Sequence, residues 1–219
     1  NAAYRLERAR IHAALHDGGA RADLDQAILL NPTLTEARLS RARLELAAGA
    51  REAARADVDA AALEEPRSSD LRLDLGALYE RLDDQEGALK EYDAWLATHP
   101  DDARMGQAFS GRCWARALLG RDLDAALRDG NRAVSAEPGV AAPLNARGLV
   151  RLRRGEYDRA VADYNAALMI NPSLAWALWG RGVAEIKAGR ADAGAADLAA
   201  ARQKAPKLED RARTFGLTP

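Results

Sequence analysis

The chain has 219 residues, 48% of them hydrophobic and 30% charged, with a formal net charge of −1. That composition is ordinary for a folded, water-soluble protein. No apolar run approaches the roughly 18 residues a membrane-spanning helix needs, and the opening "NAAYRLERAR" is amphipathic and charged, unlike a signal peptide. The one cysteine, Cys113, excludes an internal disulfide and a multi-cysteine metal centre, and leaves the compartment open. The first residue is not Met, which points to a longer or processed polypeptide.

Six prolines, Pro32, Pro66, Pro100, Pro138, Pro172 and Pro206, are spaced by 34, 34, 38, 34 and 34 residues. A fixed period of this size predicts stacked structural repeats. It also explains why "LLNPTLTEARLSRA" returns as "MINPSLAWALWGRG": Pro32 and Pro172 stand four periods and one four-residue insertion apart. Within 141–174, Leu144, Gly148, Val150 and Leu152 fall near helical spacing, and so do Ala160, Tyr164, Ala167 and Leu168. Gly155 between them, after Arg153 and Arg154, reads as a helix stop with cations in the last turn. Each period therefore predicts helix, tight turn, helix, closed by a proline. Neither helix buries its apolar stripe alone, so neighbours must stack.

Six units follow in register: 1–34, 35–68, 69–102, 107–140, 141–174 and 175–208, with an insertion at 103–106. Repeat position 20 reads Ala20, Ala54, Ala88, Ala126, Ala160 and Gly194, and position 27 reads Ala27, Ala61, Trp95, Ala133, Ala167 and Ala201. This pattern resembles the tetratricopeptide repeat over nearly the whole chain. The resemblance implies an all-α fold, a right-handed superhelical α-solenoid of helix-turn-helix repeats. It also implies that the first helices line a concave groove in which a partner peptide lies extended or as a short helix. The preference for Arg over Lys and the abundant Ala fit a GC-rich bacterial genome.

In chain order, the resemblance gives the first repeat Arg5, Leu6 and His12 as groove residues. His12 and His16 have the spacing with which two imidazoles share a metal, but no third ligand is evident, and the pair reads as a solvated helix end. The second repeat offers Glu36, Arg43 and Leu46, and the third Asp70, Asp74, Glu80 and Arg81. Trp95 then takes a small-residue position, and the four-residue insertion at 103–106 is about one helical turn, which lengthens the next helix. In the fourth repeat Trp114 stands where a small residue belongs and Gly130 where an aromatic belongs, which predicts a volume swap with the indole filling the gap. Cys113 is predicted to be a buried structural thiol. Together these departures predict a repacked junction; a hinge or side pocket near Trp95 and Phe109 is the alternative.

The groove of repeats four to six is the predicted binding site: Arg112, Asn145, Leu149, Leu152, Arg153, Trp176, Trp179, Val183, Ile186 and Lys187. Large aromatics in a concave surface are common interaction hot spots. The two indoles have a second reading, packing against a neighbouring helix or the C-terminal tail. The Lys, Asn and Arg set with which some family members clamp a terminal carboxylate is not supplied by any three consecutive repeats. Residues 209–219 read as a capping helix and tail, with Ala212, Phe215 and Gly216 in the register of a further first helix.

Charge is uneven: residues 1–102 carry about −8 and 103–219 about +7. The basic half coincides with the apolar groove and predicts an acidic, hydrophobic protein or peptide partner. Arg112, Arg147, Arg151 and Arg153 raise nucleic acid as a partner, against which stand the pI near 6.4 and the acidic first half. Head-to-tail self-association is a further option. No phosphate loop, dinucleotide fingerprint or catalytic constellation occurs, so no cofactor or metal is predicted. The sequence thus points to a non-catalytic interaction module or scaffold. The alternative is a docking or regulatory segment of a larger enzyme whose hydrolase-like domain, of aspartic-protease type for instance, lies outside this stretch.

Overall fold

The two matching Asn-Pro stretches fold alike, and for the same reason. Asn31 Oδ1 accepts from the backbone N–H of Thr33 (3.2 Å) and its hydroxyl (2.9 Å), and Asn171 Oδ1 accepts from the N–H (3.1 Å) and hydroxyl (2.8 Å) of Ser173. An Asn side chain that closes a turn on its own backbone, followed by a proline that cannot continue a helix, ends one helix and aims the chain into the next.

The computed structural model describes all 219 residues, as thirteen helices and no strand. They run as hairpins: α1 (Ala2–Ala14) with α2 (Gly19–Leu30), α3 (Thr35–Ala47) with α4 (Arg51–Glu64), and α5 (Leu71–Arg81) with α6 (Gln85–Thr98). Then come α7 (Met105–Leu119) with α8 (Leu123–Ala136), α9 (Ala141–Arg153) with α10 (Tyr157–Ile170), and α11 (Ala175–Lys187) with α12 (Ala191–Lys204); α13 (Leu208–Thr214) follows. No helix is long and apolar enough to cross a membrane. The chain divides into two compact units, Asn1–Thr98 and His99–Pro219. The boundary falls beside the one departure from the 34-residue spacing. The inserted residues are shared: Met105 and Gly106 open α7, and residues 103 and 104 remain in the turn before it.

Inside each hairpin the turn is made by a residue in the left-handed region. It is Gly49, Gly120, Gly155 and Gly189 in four hairpins, and His16 (φ 56°) and Asp83 (φ 63°) in the other two. His and Asp are among the few side chains that tolerate this conformation. Each turn also returns an N–H to a carbonyl five residues back, as in Ala50 to Glu45 (2.8 Å) and Glu156 to Arg151 (2.9 Å).

Close helix contact comes from the alanine positions and from aromatic-on-glycine packing. Ala27, Ala61, Ala133 and Ala167 have no exposed surface. A Cβ added at Gly76 would stand 2.6 Å from the Tyr92 ring, and one at Gly148 would stand 2.9 Å from the Tyr164 ring. The fourth hairpin departs from the predicted volume swap. The space at Gly130 is taken by Cys113 Sγ and the Arg147 stem, each 3.1 Å from an added Cβ, and not by Trp114. Cys113 is fully buried, as expected, and burial pushes its thiol well above the ordinary range.

The contact that recurs in every hairpin is ionic. A carboxylate on the second helix, in turn Asp23, Asp57, Glu91, Asp129, Asp163 and Asp197, is gripped by arginine from the first helix. Arg41 takes Asp57 with both Nε (2.7 Å) and Nη2 (2.6 Å), and Arg147 takes Asp163 the same way (3.0 and 2.7 Å). Arg181 does so with Asp197 (2.6 and 2.7 Å), and Arg72 holds Glu91. Three of these arginines also reach back one hairpin: Arg41 to Asp25 (2.7 Å), Arg147 to Asn131 (3.1 Å) and Arg181 to Asn165 (2.7 Å). The six carboxylates are almost wholly shielded from water, except that Asp197 keeps a little exposure. Removing one leaves a desolvated guanidinium behind. Asp163→Ala is expected to destabilise the second unit by about 3 kcal/mol, read by urea denaturation.

Glu45 is the contrary case. It is buried, only Arg21 reaches its Oε1 (3.3 Å), and its Oε2 has no partner. Burial, and then the nearby Asp57 charge, raise its pKa. An acid whose folded pKa is raised costs stability as pH rises above its unfolded value of about 4.3. Glu45→Gln is therefore expected to stabilise the protein at pH 7, with the gain disappearing below about pH 4; denaturation midpoints at the two pH values check it. Asp23 has the opposite sign. The hydrogen bond from Arg8, followed by that from Arg5, holds it well below the ordinary carboxylate range, so its contribution is present at neutral pH and is lost in acid.

Candidate interaction surface

In the first unit the faces of the first helices are closed over by charge pairs. Arg10 on α1 meets Glu36 on α3 (2.8 Å), and Arg43 on α3 meets Asp74 on α5 (2.8 Å). Arg5 is drawn to Asp23 (2.8 Å), and Glu80 accepts from the Tyr92 hydroxyl (2.7 Å). His12 sets Nδ1 2.5 Å from Asp17 and packs over Gly19, while His16 occupies the turn.

The second unit holds all ten residues of the predicted site, and brings them together differently from the prediction. Arg112 turns inward, with Nε and Nη2 each 2.8 Å from Asp129. Asn145, Leu149 and Leu152 on α9 are buried, Leu149 to 1% exposure. Trp179 and Val183 on α11 are 2% and 1% exposed. These five residues are buried in the core, where the expectation had them lining the groove. Leu149, Leu152, Trp179 and Val183 belong to one apolar cluster against which Trp114 and Trp176 pack, and Trp114 reaches from α7 to α11 to meet Trp176 edge-on, ring centroids 5.1 Å apart at 85°. Trp176 in turn meets Trp179 at 5.7 Å and 80°. Edge-to-face contact sets the positive rim of one ring on the negative face of the next. The Arg211 guanidinium from α13 covers Trp176 at 5.6 Å.

Arg153 makes the second closure. Its Nε donates to the Ala117 carbonyl (3.0 Å), and its Nη2 donates to those of Leu118 (2.7 Å) and Phe215 (2.5 Å). The cation therefore sits at the C-terminus of α7, where unpaired carbonyls concentrate negative charge, and ties the C-terminal segment to it. Burial lowers the Arg153 pKa. Of the tryptophan pair, Trp179 is packed away, while Trp176 keeps a partly exposed edge. Ile186 is also partly exposed and Lys187 is exposed. The buried acids of the hairpins were the feature missed from the sequence; their signal is a carboxylate at position 23 of every repeat.

Residues 144–189, which span α9, α10 and α11, match the family model described as TPR repeat. That stretch carries the tetratricopeptide repeat. The whole chain is similar in fold to PilW, a type IV pilus biogenesis factor, at TM-score 0.72 and 18% identity, over 99% of this chain and 98% of that one. It is similar to a tetratricopeptide repeat protein from Parabacteroides merdae ATCC 43184 at TM-score 0.69 and 16% identity, over 98% and 90%. It is also similar to YrrB, described as a TPR protein with an unusual peptide-binding site, at TM-score 0.52 and 18% identity, over 89% and 98%. No curated protein matches the sequence.

The two indoles differ in what their loss leaves behind. Trp179→Ala empties a sealed site and is expected to cost about 3–5 kcal/mol. Trp176→Ala removes a half-open ring and one aromatic contact on each side, for about 1–2 kcal/mol. Thermal denaturation of the two variants side by side checks the order.

Proposed function

We propose that this chain is a non-catalytic protein-interaction module. Its second unit receives a peptide or helix along the first-helix face, at the part that stays open around Trp176, Ile186 and Lys187. The observation that carries this reading is the Trp176 edge. A large ring is fixed between Trp114 and Trp179 and still meets water. A pre-ordered aromatic gives contact area with little entropy left to lose. The second unit carries 19 Lys and Arg against 14 Asp and Glu, which favours a partner with acidic residues beside its apolar anchor. The likeness to YrrB, described as having a peptide-binding site, supports the same class of function.

The test is affinity capture from source-cell lysate with the wild-type chain, Trp176→Glu and Lys187→Glu, all three checked for intact helicity. A protein held by wild type, lost with Trp176→Glu and weakened about tenfold with Lys187→Glu supports the reading. Equal capture by all three sinks it. Trp179 is left untouched because its replacement would test folding instead.

A further inference from the structure

The first unit has a second opening, on the other side of its hairpins from the first-helix face. α4, the turn after it, α5 and α6 enclose an open cleft of about 660 Å³. Ala62, Leu63, Ala94 and Ala97 form its apolar part, and Leu63 is 83% exposed. The volume lies in the range of small-ligand and side-chain pockets.

The charges around this cleft set it apart. The first unit carries 13 Lys and Arg against 19 Asp and Glu, so cations have acids to spare. Ten of the 13 are in ion pairs. The three that have none are Arg67, Arg81 and Lys90, and two of these, Arg67 and Lys90, stand on the cleft wall. The wall's acids are taken. Asp59 accepts from the Tyr79 hydroxyl (2.9 Å) and faces Arg55 (3.8 Å), and Asp93 has a partner of its own. Arg72, at the base, is spent on Glu91. What remains open is an apolar slot between two uncommitted cations.

We infer that this cleft is a docking site for an acidic protein segment, one that inserts a leucine-sized side chain beside Leu63 and sets flanking carboxylates against Arg67 and Lys90. Apolar contact supplies the anchor, and the two cations select for acid over amide. Nucleic acid also carries negative charge, but a phosphate backbone presents no leucine-sized apolar group to fill the slot beside Leu63.

The experiment is an NMR titration of the ¹⁵N-labelled full chain with acetyl-Asp-Leu-Leu-Asp-amide, its Asn-Leu-Leu-Asn counterpart and a short oligothymidine. The acidic peptide is expected to shift amides within 59–67 and 90–97, with the Asn peptide about tenfold weaker. The Arg67→Glu, Lys90→Glu variant should weaken the acidic peptide by at least as much; both positions are exposed, so the variant keeps its fold. Leu63→Ser should weaken both peptides alike. The inference is overturned by an acidic peptide that shifts nothing or shifts only the first-helix face. Equal binding of the two peptides, or tighter binding of oligothymidine, overturns it as well.

Discussion

The structure turns on a carboxylate taken out of water in every hairpin and gripped by arginine from the facing helix. A charge buried without a partner is costly enough to forbid the arrangement. The second helix is therefore free to pack only at the rotation that points its acid at the guanidinium. Apolar stripes alone would leave that rotation loosely defined, because alanine faces look much the same over several tens of degrees. The planar two-point grip of Arg41 on Asp57, repeated by Arg147 on Asp163 and Arg181 on Asp197, narrows the choice. Once that angle is set, the aromatic-on-glycine contacts fall into place.

The same grip shapes what each unit offers to a partner. Arginines that turn inward to an acid are withdrawn from the surface, so sequence charge overstates surface charge. Arg112 reads as a groove cation and serves as the anchor of Asp129. The charges left in play are few, and their positions carry more information than the net count does. In the second unit the open face is dominated by one half-buried indole. In the first unit two uncommitted cations flank an apolar cleft.

Much of this was legible before any coordinates. The proline period, the alanine positions and the glycine turns give the hairpins and their order. Each works through a local rule: φ for proline, absence of a side chain for glycine, closeness of approach for alanine. Two of the six turns break the glycine rule, at His16 and Asp83, and are kept by side chains that tolerate the left-handed region. The groove was less legible. Register says which helix face a residue is on, but not whether a neighbour two hairpins away reaches over it. Trp114 does so, and the contact joins residues 62 positions apart, beyond the reach of any periodicity. Arg153 to Phe215 spans the same separation. The buried acids were visible as a period, but their meaning needed the arginines that face them.

Three of the gripping arginines also reach the preceding hairpin, at Asp25, Asn131 and Asn165. Each such hairpin therefore carries a complete bond within itself and one half of a bond with its neighbour, always facing the same way along the chain. A gene that copies the 34 residues of the fifth hairpin, which carries both Arg147 and Asn165, sets a donor beside an acceptor at each new junction. A gain or loss of any other length strands a guanidinium. Lengthening by duplication is thereby open to this molecule, while piecemeal insertion is confined to the turns between hairpins.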